Sequence, residues 1–298
     1  MMPGSASKPM KISVASGKGG TGKTTVATSL AAVLESKAQL LDCDVEEPNC
    51  HILMKPVLQT HESVTVPVPI VDMDKCTLCG KCGDVCRFSA IVVIGDQVLT
   101  FPEMCHGCGG CALFCPEGAI HEGARELGVL ETGLAGPVEF VHGRLRVGEA
   151  MSPPLIRAVK EKINPHKTAI LDAPPGASCP VINAVNGSDF IILVTEPTPF
   201  GLHDLSIAVD AISHLAIPLG VILNRSDVGD TEVQRFCARQ GIPLLAEIPH
   251  SRRIAEGYAK GDLLVTSAPE YIKLFLQLFE RISGLINGAG SPPKGAIP

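Results

Sequence analysis

Short apolar runs punctuate the chain at residues 11–16 (KISVAS), 38–46 (AQLLDCDVE), 168–173 (TAILDA), 189–196 (DFIILVTE) and 219–225 (LGVILNR). Each is rich in Ile, Val and Leu at successive rather than alternate positions. That is the pattern of a strand covered on both faces. Between them, residues 24–37 carry an apolar stripe at helical spacing, and 153–163, 178–186, 201–215, 230–240 and 269–286 are further helical candidates. Strands alternating with helices predict an α/β fold: a mostly parallel sheet with helices on both faces. Residues 136–150 (GPVEFVHGRLRVGEA) read as a hairpin with its turn near His142-Gly143.

The rhythm fails from residue 62 to residue 125, where long apolar runs give way to Cys and Gly. About 60 residues with so little core rarely fold without a staple. The expected organisation is therefore a discontinuous domain of residues 10–61 and 126–298, interrupted by a small unit at 62–125. Residues 1–9 and 288–298 (the latter GAGSPPKGAIP) are expected to be flexible ends.

Composition narrows the function. The 298 residues are 45% apolar, 4% aromatic and 19% charged, with a net charge of −6. No Lys/Arg block or aromatic platform appears, so nucleic acid is not an expected partner. No signal peptide or spanning segment is read, so no membrane partner is expected either. Twelve cysteines without a secretory leader point to metal or redox chemistry in a reducing compartment, the cytoplasm.

Gly17 to Thr24 (GKGGTGKT) fits G-x-x-x-x-G-K-[ST] and lies between a predicted strand and a predicted helix. That context makes it a phosphate loop. Backbone N–H groups across Gly17, Lys18, Gly19, Gly20, Thr21, Gly22 and Thr25 would turn towards phosphate at a helix N-terminus. Lys23 would meet the β- and γ-phosphates of a bound nucleotide, and Thr24 would offer its hydroxyl to Mg²⁺. Ligands of open parallel sheets bind at the carboxyl ends of strands. Asp42 and Asp44 in LLDCDVEEPN, and Asp172 in LDAPPG, are expected there. Asp172 suits a water-mediated Mg²⁺ contact and Asp44 the positioning of the attacking water.

Together, GKGGTGKTT, LLDCDVEEPN, LDAPPG and VTEPTPFGLHDL resemble the MinD/ParA-like, deviant Walker A class of P-loop (SIMIBI-type) ATPases. Mrp-type scaffold proteins and, more distantly, the nitrogenase iron protein share that class. The resemblance spans residues 11–55 and 150–290. It implies ATP hydrolysis and an ATP-sandwich homodimer in which Lys18 reaches the partner's phosphates. It also assigns the base to Asn224 and Arg225 in VILNR and to a loop around Pro249 to Arg252.

The interrupting unit reads Cys76-x₂-Cys79-x₂-Cys82-x₃-Cys86, then Cys105-x₂-Cys108-x₂-Cys111-x₃-Cys115-Pro116, an internal duplication offset by 29 residues. Paired Cys-x₂-Cys units also make zinc sites, but three evenly spaced cysteines plus a fourth, repeated, fit cubane clusters better. The run resembles the bacterial two-cluster ferredoxin, a small α+β domain, with Arg87 where that family usually has Pro. The resemblance implies one [4Fe–4S] cluster on Cys76, Cys79, Cys82 and Cys115, and another on Cys105, Cys108, Cys111 and Cys86. His106 reads as a polar neighbour of sulfur. Cys43, Cys50, Cys179 and Cys237 read as buried small hydrophobes.

The combination predicts an ATPase whose nucleotide state gates electron transfer through two clusters to a partner protein. A carrier or assembly ATPase for iron–sulfur clusters or another metallocofactor is the second reading. A MinD- or ParA-like positioning ATPase is the third; its membrane helix is not matched by residues 269–286, which carry two cations and apolar residues on most faces.

Overall fold

The computed structural model describes residues 9–288, so the expectation of flexible ends lies largely outside the described residues. Eleven strands are present: β1 (Lys11–Ser16), β2 (Ala38–Asp42), β3 (Val57–Val71), β4 (Ile91–Ile94), β5 (Gln97–Thr100), β6 (Ile120–Ala135), β7 (Val138–Leu145), β8 (Thr168–Pro175), β9 (Phe190–Thr195), β10 (Leu219–Asn224) and β11 (Leu244–Ile248). Nine of them form one sheet in the order β11-β10-β9-β1-β8-β2-β7-β6-β3; β4 and β5 pair separately. From β11 to β7 every neighbour is parallel, and β6 and β3 continue the sheet antiparallel.

The helices are α1 (Lys23–Leu34), α2 (Cys50–Met54), α3 (Lys81–Val85), α4 (Gly110–Leu113), α5 (Pro153–Glu161), α6 (Cys179–Val185), α7 (Pro199–Ser213), α8 (Glu232–Gln240), α9 (Arg252–Ala259), α10 (Leu264–Ser267) and α11 (Ile272–Gly288). Successive strand residues serve opposite layers. Ile170 packs with α1 and α11 through Leu30, Phe275 and Leu278. Its neighbour Leu171 packs with α5 to α8 through Leu155, Val181, Leu205 and Val233. Each such side chain, removed from water, contributes about 1.5–3 kcal/mol, and the two layers fix the parallel strands in place. Among the described residues no helix is long and apolar enough to cross a membrane.

Three expectations change. The hairpin turns at Gly136-Pro137, where Gly136 has φ 58°, and His142-Gly143 lies inside β7. Gly143 is there for packing: a Cβ would sit 2.8–3.0 Å from Val45, Leu155 and Val159. The strand carrying Asp172 does not stop at Ala173; it runs through Pro175 beside Ser16, and the chain turns at Gly176, φ 101°. Finally, the expected bounds of the inserted unit, residues 62 and 125, fall inside strands. β3 and β6 pair, with two register shifts, from Val57–Leu134 to Val71–Ile120, and the cysteine-rich segment hangs from that ribbon as residues 72–119.

The ribbon has a direction. β7 ends at Leu145 opposite Gly128, on the carboxyl edge of the parallel strands. Residues 120–127 of β6 run on beyond that edge, where the strand paired with them is β3. Eight residues at about 3.4 Å each make the projection about 27 Å. The cysteine-rich segment is thus carried on the same edge of the sheet as the phosphate loop.

Candidate functional site

β1 delivers the chain into the phosphate loop, and Gly22, in the left-handed region at φ 94°, starts α1. Gly17 must lack a side chain because a Cβ would collide with the backbone of Asp204 on α7. Lys23 and Thr24 then open the helix, both nearly buried. Lys23 Nζ lies 3.0 Å from Asp172 Oδ1 and 3.6 Å from Asp44 Oδ2. Thr24 Oγ1 donates to Asp172 Oδ2 at 2.6 Å. The structure therefore brings Lys23, Thr24, Asp44 and Asp172 into one cluster.

Burial acts on Lys23, Asp42 and Asp44. Burial alone would depress the Lys23 ammonium, but Asp172 and Asp44 outweigh it and hold Lys23 above its ordinary value. Burial, reinforced by the charge of Asp172, pushes Asp42 up to about 7. Burial pushes Asp44 up to about 6 against the pull of Lys23. Asp42 is a structural acceptor: its carboxylate takes the N–H groups of Asp44, Asn49 and Cys50 at 3.0–3.1 Å. It thereby pins the loop that leads into α2.

Lys18 sits apart from this cluster, one-third exposed, with Nζ 3.9 Å from Glu196 Oε2. Glu196 also accepts from Arg225 Nη1 at 2.6 Å. Asn224 Nδ2 donates to Thr21 O at 2.8 Å, bracing the loop from β10. Beside Gly20, Gly22 and Thr25 opens a cleft of about 370 Å³, walled by Asn224, Arg225 and Pro249 and by Ile254 and Tyr258 of α9. Sequence reasoning missed Ile254 and Tyr258. Their i, i+4 spacing behind Ser251, whose Oγ accepts from the Ile254 N–H, is a capped-helix signal that was there to be read.

The eight clustered cysteines fall into two groups. Cys76, Cys79, Cys82 and Cys115 line one pocket, with Pro116. Cys86, Cys105, Cys108 and Cys111 line another. Each fourth cysteine thus shares a pocket with the triplet of the other repeat. The duplication is visible in the hydrogen bonds: Ala90 N–H donates to Cys86 Sγ and Ala119 N–H to Cys115 Sγ, both at 3.3 Å. Likewise Phe101 N–H bonds Ala90 O and Asp72 N–H bonds Ala119 O. Four cysteines lining each pocket, with backbone N–H groups donating to the sulfurs of Cys86 and Cys115, fit thiolate-ligated [4Fe–4S] clusters. His106 stacks on Phe88, ring centroids 3.6 Å apart.

Of the remaining cysteines, Cys43, Cys50 and Cys237 are buried, as expected. Cys179 is a correction: it is exposed. It opens α6, whose buried face is Val181, Ala184 and Val185. Cys50 does more than fill space, because its Sγ lies 3.3 Å from Asp172 Oδ2.

A family model described as the CobQ/CobB/MinD/ParA nucleotide binding domain matches residues 12–265. An uncharacterised protein of Methanocaldococcus jannaschii is 31% identical over 282 residues, 93% of this chain and 98% of its own. An iron-sulfur cluster carrier protein of Aquifex aeolicus is 28% identical, over 92% of this chain and 67% of its own. An uncharacterised ferredoxin of M. jannaschii is 40% identical over 55 residues, 17% of this chain and 71% of its own. Among solved structures, the septum site-determining protein MinD of Pyrococcus horikoshii, complexed with Mg-ADP, superimposes with a TM-score of 0.56. It is 22% identical and covers 95% of this chain and 99% of its own, a likeness of fold.

Proposed function

Because the chain belongs to the CobQ/CobB/MinD/ParA nucleotide-binding family, we propose that it is an ATPase whose nucleotide state gates electron transfer through two [4Fe–4S] clusters to a partner protein. One observation carries this reading. The strand pair that bears the eight-cysteine segment is laterally continuous with the strands that bear Asp42 and Asp172, and projects from their carboxyl edge.

Nucleotide entry must rearrange the buried charges. Lys23 leaves Asp172 to meet the β- and γ-phosphates, and Thr24 Oγ1 gives up its bond to the same carboxylate. Thr24 and, through water, Asp172 would hold Mg²⁺, which supplies charge neutralisation of the phosphates. Asp44, poised near pH 6, is the group to orient the attacking water and accept its proton. Lys18, held loosely by Glu196, is free to cross to a second chain's phosphates, which makes the working form a homodimer. Asn224, Arg225 and Pro249 would take the base, with Ile254 and Tyr258 completing its wall.

Cys76, Cys79, Cys82 and Cys115 would hold one cluster and Cys86, Cys105, Cys108 and Cys111 the other. Bound there, such clusters supply one-electron carriage at potentials tuned by hydrogen bonds to sulfur. The deciding experiment is anaerobic purification with native partners, then redox titration with and without ATP. About eight irons per chain are expected, together with nucleotide-dependent potentials or transfer rates. Potentials and rates indifferent to nucleotide would sink the gating reading.

The A. aeolicus relative, named an iron-sulfur cluster carrier protein, favours a second reading as a cluster carrier or assembly ATPase. The residues speak against a bridged labile cluster: the C-terminal half offers an exposed Cys179 and a buried Cys237, far apart in sequence and on different helices. Retention of all iron in the presence of apo-acceptors would count against a carrier.

A further inference from the structure

Five ionisable residues on five neighbouring strands stand in one lateral row. Asp172 of β8 pairs with Asp42 of β2. Asp42 pairs with His142 of β7, His142 with Glu131 of β6, and Glu131 with His61 of β3. Residues paired across strands share a face of the sheet. The row therefore leads from the nucleotide cluster to the root of the ribbon that carries the cysteines. His142 and Glu131 are nearly buried, an expensive place for such groups without a purpose in structure or signalling.

Contacts link the row end to end. His142 Nε2 is 2.8 Å from Glu131 Oε2, to which Arg144 Nε donates at 3.0 Å. His61 Nδ1 is 3.1 Å from Glu131 Oε1. At the other end, α2 bridges from nucleotide cluster to row. Its first residue, Cys50, touches Asp172 through Sγ and Asp42 through its N–H. Its second, His51, lays its ring edge-on against His142, centroids 5.4 Å apart. Nδ1 of both rings is buried with no hydrogen-bond partner, so this contact can slide without breaking a bond.

We propose that His51, His142 and Glu131 are the positioning residues through which nucleotide state sets the pose of the β3–β6 ribbon. The proposal rests on the gating reading above and supplies its physical link. When nucleotide draws Lys23 and Thr24 away from Asp172, the contact of that carboxylate with Cys50 changes. The start of α2 shifts, His51 moves against His142, and the Glu131 clamp tilts His61 and β3. The cysteine-rich segment, about 27 Å beyond the edge of the sheet, moves with the strands.

Hydrogen exchange of residues 57–71 and 120–135 in the full chain, with and without Mg²⁺ and a non-hydrolysable ATP analogue, tests this. Wild type is expected to show a nucleotide-dependent change in both strands. Glu131→Gln should bind the analogue within about twofold of wild type while that change falls at least about fivefold, the lower end of ordinary coupling between sites. His51→Ala, which leaves the Glu131 clamp intact, should also diminish it. Thr132→Val, on the opposite face of the same strand and paired with Thr60, should leave it whole. If wild type responds and Glu131→Gln and His51→Ala respond equally, the row is no coupling device although gating stands. If wild type shows no response in the ribbon while cluster potentials still answer to nucleotide, the proposal falls alone; if neither responds, the gating reading falls with it.

Discussion

Lys23 and Asp172 hold each other at 3.0 Å before any phosphate arrives. Removing the lysine therefore has two effects that separate experimentally. Lys23→Met should weaken ATP binding about 10- to 100-fold, the weight of a charge-assisted contact, read by titration calorimetry. It should also destabilise the nucleotide-free chain by about 3 kcal/mol, because two buried carboxylates lose their cation, read by chemical denaturation. Asp42 answers to pH instead. Its folded-state value of about 7 lies above its ordinary 3.8, so the folded chain binds the extra proton and Asp42 erodes stability as pH rises through that window. Asp42→Asn removes the titration and keeps an oxygen for the Asn49 and Cys50 N–H groups. Its stability relative to wild type should climb between about pH 4 and about pH 7 and then level off, in nucleotide-free denaturation at fixed pH.

At the scale of elements, the crossing of the two cysteine runs is the sharpest expectation. On the proposed ligand sets, Cys115→Ser should disturb the cluster assigned to Cys76, Cys79 and Cys82 and spare the one assigned to Cys105, Cys108 and Cys111, although the latter are its neighbours in sequence. Electron paramagnetic resonance of the reduced protein separates the two. Gly143→Ala should cost about 1–3 kcal/mol by overpacking β7 against α5, seen as a lowered Tm. The β1–loop–α1 unit was legible because all its signals are local: an apolar run, glycines, then an apolar helical stripe. The β3–β6 ribbon was not. Residues 57–63 are mostly exposed and show no apolar run, and their partners lie some 70 residues away, beyond the cysteines. The hairpin turn was misplaced because a glycine serves two ends. Gly136 supplies a positive φ, whereas Gly143 supplies room, and sequence does not distinguish them. α9 was missed because the loop reading stopped at Arg252, where the helix begins, and nothing was assigned beyond it.

For the whole molecule, the phosphate loop and the cysteine-rich segment share one edge, and Lys18 stands on it with a loose hold on Glu196. Lys18→Ala should leave iron content unchanged and abolish ATP-dependent dimerisation in sedimentation velocity. A variant that still dimerises on ATP would remove Lys18 from the assembly step. The site row was out of reach of sequence for a related reason: Asp172, Asp42, His142, Glu131 and His61 are scattered along more than 100 residues, and only the strand order aligns them.

Val71 and Ile120 face each other on the last rung of the ribbon. The 48 residues between them leave and return at neighbouring points, so no strand order or crossover of the nucleotide-binding sheet depends on them. Such a segment is an exchangeable cassette. A two-residue Asn-Gly turn closing that rung should yield a chain that still folds and binds ATP without iron. By the same geometry, another metal-binding loop with adjacent ends could be grafted onto the same stalk.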